Sequence, residues 1–135
     1  MKTQAWLSFA RTLALLAGAM DFVTGLGLIV APALALRGML APVPGPESLV
    51  YLRFVGVFVF AIGTSYLLAW RRGGREPLRA VFRFTLPFLA GAALFTGSAV
   101  MTGALAPAWL SVTFTDLLLV GLQVWLLRAA PSADE

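Results

Sequence analysis

The chain reads as a single all-α domain over residues 1–135, an integral membrane bundle of four transmembrane helices. Three observations predict it. Apolar residues make up 60% of the chain and charged ones only 12%, where a soluble domain carries about a quarter charged residues. A soluble domain of this length could not hide so much apolar surface, whereas a bilayer acts as solvent for it. Finally, segments near the roughly 20 apolar residues that a transmembrane helix needs recur four times, separated by turn chemistry.

The first span covers about residues 6–31. Its start, MKTQAWLSFARTLALLAGAM, imitates a secretory signal, with Lys2 and Arg11, an apolar stretch, and AGA at 17–19 where cleavage after Ala19 is conceivable. Apolarity nevertheless runs on to Leu36, too far for a signal core, so a retained span is expected. RGMLAPVPGPES at 37–48 holds three prolines and two glycines and cannot continue a helix. The second span covers about 49–70, followed by the short charged turn RRGGREP at 71–77. The third covers about 79–102, and Pro87 within it predicts a kink by clashing with the carbonyl of Arg83. GALAPA at 103–108 is a tight uncharged turn, with Pro107 suited to the first turn of the fourth span at about 108–128.

Basic residues set the expected orientation. Lys2, Arg11, Arg71, Arg72, Arg75, Arg79 and Arg128 fall at the N-terminus, middle loop and C-terminus, with only Arg37 and Arg53 near the other face. Both termini should then be cytoplasmic. Trp6, Trp70, Trp109 and Trp125 lie near span ends, and with Tyr51 and Tyr66 they read as interface anchors.

The composition also excludes. Without Cys or His there are no disulfides, redox thiols, thiolate metal sites or His-ligated haem, and no metal or cofactor is expected. The net charge is +4, but no basic stripe with interleaved aromatics points to nucleic acid.

Away from the span ends, four charged residues remain to be placed: Asp21, Arg53, Arg83 and Asp116. Such residues are costly in a bilayer, face the protein interior and usually pair. Counting about 1.5 Å per residue from the span ends puts Asp21 and Asp116 at similar depth in the outer half. Arg53 enters from the outer side, and its long stem can reach the same layer. Arg83 belongs to the opposite half. The three outer residues therefore predict either an ion network that fixes helix order or a ligand- or proton-binding site. Two acids face one base, and the sequence leaves open which of them holds it. Arg83, Thr113 and Gln123 are secondary polar positions, Thr113 and Gln123 sharing a face with Asp116 and Val120. Gly18 and Gly25 flank Asp21 on one helical face, Gly56 and Gly63 lie below Arg53, and after Pro87 the pairs Ala93–Gly97 and Ala99–Gly103 have small-xxx-small spacing. All six glycines are expected at helix–helix contacts.

The stretch YLRFVGVFVFAIGTSYLLAW at 51–70, with DFVTGLGLIVAPAL at 21–34 before it, resembles small bacterial four-helix membrane proteins of the DoxX-like type. The resemblance is carried by Arg53, Gly56, Gly63 and Tyr66. It implies a multi-pass protein of the bacterial inner membrane, linked in that group to quinone-dependent oxidation of sulfur compounds or to accessory roles. It transfers no cofactor-binding residue.

Together these readings favour a small non-catalytic accessory subunit of a larger membrane complex, redox- or quinone-linked. Its partners would be the lipid bilayer and other membrane subunits or a second copy of itself, with quinone or lipid as a ligand. Two alternatives stand beside it. One is a small transporter or ligand-binding bundle using Asp21 and Asp116; the other is a DoxX-like component of a quinone-linked oxidoreductase.

Overall fold

A computed structural model describes residues 3–130 as a helical bundle, so Lys2 lies outside the described residues. Four of its helical segments are long and apolar enough to cross a membrane. The first helix, α1, covers Thr3–Val30, about 42 Å at 1.5 Å per residue. It stops there because Pro32 has no amide to donate and forces the residue before it out of helical geometry. Ala31 accordingly sits at φ −140° and ψ 66°. The apolar run expected to continue to Leu36 is instead a separate seven-residue helix, α2, over Pro32–Gly38. Leu36 is fully buried within it.

Helix α3 spans Pro46–Arg72, with Pro46 in its first turn, where a missing amide costs nothing. Gly73 and Gly74, at φ +66° and +77°, make the reversal into α4, Arg75–Met101. The helix therefore starts within the stretch expected to be a turn. Pro77 is accommodated in its first turn, and helical structure continues unbroken through Pro87. A single 3-10 turn over Pro107–Trp109 leads into α5, Leu110–Arg128.

The four long helices pack as two pairs, α1 with α3 and α4 with α5, and the pairs meet each other less extensively. Glycine makes the first pair close. A Cβ on Gly25 would collide with the backbone amide of Phe60, and one on Gly63 with that of Phe22. A Cβ on Gly56 would lie 2.8 Å from the Leu28 Cβ, and one on Gly18 2.9 Å from the Tyr66 Cβ. These contacts also show α1 and α3 to be antiparallel. In lipid, where burial gives helices no hydrophobic advantage over one another, such close approach is a main source of association. Gly97 makes a looser contact, its Cβ position 3.2 Å from Thr113 Cγ2 on α5. Gly103 departs from the packing expectation. Nothing lies within 4 Å of its Cβ position, and at φ +77° it ends α4 rather than joining it to a neighbour.

Between the pairs, one half of the bundle is solidly filled. Trp6, Leu78, Phe82 and Leu126 meet there with no exposed surface. Trp6, expected at the membrane interface, is 0% exposed, and its indole Nε1 donates to the carbonyl of Leu126 at 2.9 Å. That carbonyl belongs to the last turn of α5, where no intrahelical amide remains to reach it.

Candidate functional site

The other half of the bundle is not filled. A cavity of about 470 Å³ lies between the two pairs, walled by α1, α3, α4 and α5. Its wall is mostly hydrocarbon, from residues such as Leu28, Val55, Phe88, Leu89 and Phe95, with Trp109 at one side. Two carboxylates interrupt it, Asp21 on α1 and Asp116 on α5. Both are more than nine-tenths buried, at 9% and 8% exposure.

The backbone explains how Asp21 comes to face this space. Its peptide carbon lies against Gly63 of α3, where any side chain would collide. Helix α1 is therefore drawn onto α3 along the glycine seam. Asp21 and Thr24, beside that seam, line the cavity. On α5, Asp116 shares the cavity wall with Ser111, Val112 and Thr115. The hydroxyls of Ser111 and Thr115 are taken by helix carbonyls, those of Ala108 and Ser111, each at 2.8 Å.

The carboxylates have no such partners. Among the described residues, neither Asp21 nor Asp116 accepts a hydrogen bond or joins an ion pair. Arg53, expected to join them, is elsewhere. Its guanidinium Nη1 donates to the carbonyl of Ile29, and more loosely to that of Val30 at 3.4 Å. Those carbonyls end α1, left without intrahelical amides by the Ala31–Pro32 break. A cation there also complements the negative end of the helix dipole. Arg53 is thus the cap of α1 and remains exposed on α3. Among the described residues, no basic one lines the cavity.

The secondary positions separate in the same way. Thr113 hydrogen-bonds Thr96 at 2.7 Å, closing α5 onto α4 beside the cavity. Gln123 belongs to the filled half, where its Nε2 donates to the Tyr66 hydroxyl and its Oε1 accepts from Thr85 at 3.2 Å. Tyr66, expected at the interface, is 0% exposed, and its hydroxyl lies 2.7 Å from Thr85 Oγ1. Arg83 faces outward, away from both clusters.

No family model, curated protein or solved structure matches this chain. The DoxX-like likeness accordingly rests on the residues that carry it, and each has a local role here. Arg53 caps α1, Gly56 and Gly63 admit α1, and Tyr66 anchors the hydrogen-bonded cluster.

The sequence reading missed most of the cavity. Phe88, Phe95 and Trp109 look like ordinary span residues, and Thr24, Ser111 and Thr115 like incidental hydroxyls. One signal was present for Arg53. A proline that ends span one frees carbonyls at the face where Arg53 enters span two, so a cap was derivable from residues 29–32 and 53.

Proposed function

We propose that this multi-pass membrane protein is a binding bundle. It takes a small, largely apolar molecule from the bilayer into the cavity between its helical pairs, with Asp21 and Asp116 as its polar contacts. One observation carries the reading: two buried carboxylates, without protein partners, on the wall of a cavity of about 470 Å³. Carboxylates held in an apolar interior are expensive, and this pair returns no hydrogen bond or ion pair to the fold. The volume lies in the range of small-molecule sites, which are mostly apolar with a few polar groups. Entry from the lipid is supported by Val55 and Phe95. Both line the cavity, yet they are 47% and 68% exposed on the bilayer-facing surface of α3 and α4.

The accessory-subunit role is suggested by composition and small extramembrane mass, whereas the binding role has a defined place in the bundle and is preferred. A setting in the bacterial inner membrane with cytoplasmic termini follows from the DoxX-like resemblance and the arginine distribution. On the same resemblance a quinone is one neutral occupant of the cavity.

Equilibrium dialysis tests the binding role. The protein in phosphatidylcholine nanodiscs is expected to take up phenylbutanol saturably, above the uptake of empty nanodiscs. Ala92→Trp, which puts an indole into the cavity, should abolish the excess. Uptake no greater than that of empty nanodiscs would overturn the reading.

A further inference from the structure

We infer that the cavity selects an organic amine, held as an alkylammonium cation between Asp21 and Asp116 with its apolar body among Phe88, Phe95 and Trp109. This rests on the binding reading above and names the ligand's chemical class.

Hydrogen-bond complementarity favours an amine. An ionised carboxylate only accepts hydrogen bonds, and an ammonium group only donates them, through three N–H groups. Asp21 and Asp116, which together carry four carboxylate oxygens, line the cavity, and Thr24 lines it too. A quinone offers carbonyl oxygens, which are acceptors themselves, so it can pair only with a protonated carboxyl and leaves an ionised one unsatisfied. An alkylammonium satisfies it.

Charge points the same way. The lining contains two acids and no base, because Arg53 is engaged at the end of α1. A bound monocation offsets the repulsion between the two carboxylates, and charge-assisted bonds of this kind are among the strongest available to a ligand.

The walls then choose between kinds of cation. A bare divalent ion requires six or more oxygen ligands, or several retained waters. Among the described residues no group of three or more His, Cys, Asp or Glu side chains could hold one. The remaining wall is aliphatic and aromatic, which suits a hydrocarbon body attached to the charged head. Aromatic faces such as Phe88, Phe95 and Trp109 also attract a cation electrostatically. Met20, Val55 and Phe95 line the cavity and are also exposed on the bundle surface, which suits an amphiphile that partitions into lipid before it enters.

The decisive experiment compares two probes of nearly equal shape, phenylbutylamine and phenylbutanol. Binding is measured by equilibrium dialysis of the nanodisc-embedded protein, with empty phosphatidylcholine nanodiscs subtracted. The amine is expected to bind at least about tenfold more tightly than the alcohol, the scale of one charge-assisted contact. Asp21→Asn and Asp116→Asn should each reduce that preference, read as the ratio of the two affinities, and the double variant should remove it. A cooperative unfolding transition in detergent, followed by tryptophan fluorescence, shows that the variants are folded. If amine and alcohol bind equally, or the preference survives the double variant, the cation inference falls and the binding reading stands. If neither probe exceeds empty nanodiscs, both fall.

Discussion

Two buried polar clusters sit in one small bundle, and they are built on opposite terms. In the filled half, Tyr66, Thr85 and Gln123 have no exposed surface and bond to one another. The hydroxyl of Thr85 has the Val81 carbonyl at 2.9 Å and Gln123 Oε1 at 3.2 Å as acceptors, which leaves its oxygen to accept from Tyr66. The cluster closes on itself and joins α3, α4 and α5. In the open half, Asp21 and Asp116 are nearly as buried, carry the more expensive groups, and return nothing to the fold. A buried polar group without a partner costs more than a satisfied one contributes. The closed cluster is therefore what the bundle needs for its own stability, and the open one is what it presents to something else.

Altering the support common to both should have the largest effect. The α1–α3 seam runs past each cluster, with Gly18 against Tyr66 and Gly63 against Asp21. Gly63→Leu forces side-chain atoms into the backbone of α1, and overpacking of this kind costs about 3 kcal/mol or more. Thermal unfolding in detergent, followed by tryptophan fluorescence, should show a large loss of stability, with probe binding lost as the helices separate. An unchanged unfolding temperature would mean that the seam does not hold the pairs in register.

Next comes the closed cluster alone. Gln123→Leu keeps an apolar side chain of similar size but strands the Tyr66 and Thr85 hydroxyls in a dry site. The expected cost is about 1–3 kcal/mol. Phenylbutanol binding measured below the unfolding temperature should be unaffected. A variant that loses binding while retaining stability would reverse the roles assigned to the two halves.

Arg53 distinguishes what the sequence makes legible from what it does not. Four spans, the similar depth of Asp21 and Asp116, and the glycine seam all follow from length, helical spacing and residue size, which are local properties. The partner of Arg53 depends on where α1 ends, and α1 ends at a proline six residues before the apolar run does. Pairing by charge alone therefore sends the guanidinium to a carboxylate, when exposed carbonyls at the same face were nearer. Trp6 and Tyr66 mislead for a related reason. Both lie near span ends, where an amphipathic ring suits the interface, but Leu126 O and the Thr85–Gln123 pair offer buried partners that only the packed bundle assembles. The cavity is the least legible feature, because it is defined by where two helical pairs fail to meet.

Arg53→Ala tests that assignment. Loss of a cation and its bonds at a helix C-terminus costs about 1 kcal/mol, so a modest fall in unfolding temperature is expected. Preference for phenylbutylamine over phenylbutanol should not change. If the variant instead binds the amine much more tightly, Arg53 neutralises the carboxylates in the membrane and its place at the end of α1 is not its working position.

The smallest effect on stability is expected at the residues that matter most for binding. Asp21→Asn and Asp116→Asn each exchange a carboxylate for a group of the same shape. Neither side chain bonds to the fold, and each substitution removes one of two acids that line the same cavity. No loss of stability is expected, and the sign should be toward greater stability, because a buried unpaired carboxylate is exchanged for a neutral amide. An ion network holding helices in order requires the opposite, a loss of about 3 kcal/mol or more when one partner is removed. Unfolding temperature alone therefore separates the two readings of these carboxylates. A large drop for either variant makes Asp21 and Asp116 part of the scaffold, and the contrast between the two halves of the bundle disappears.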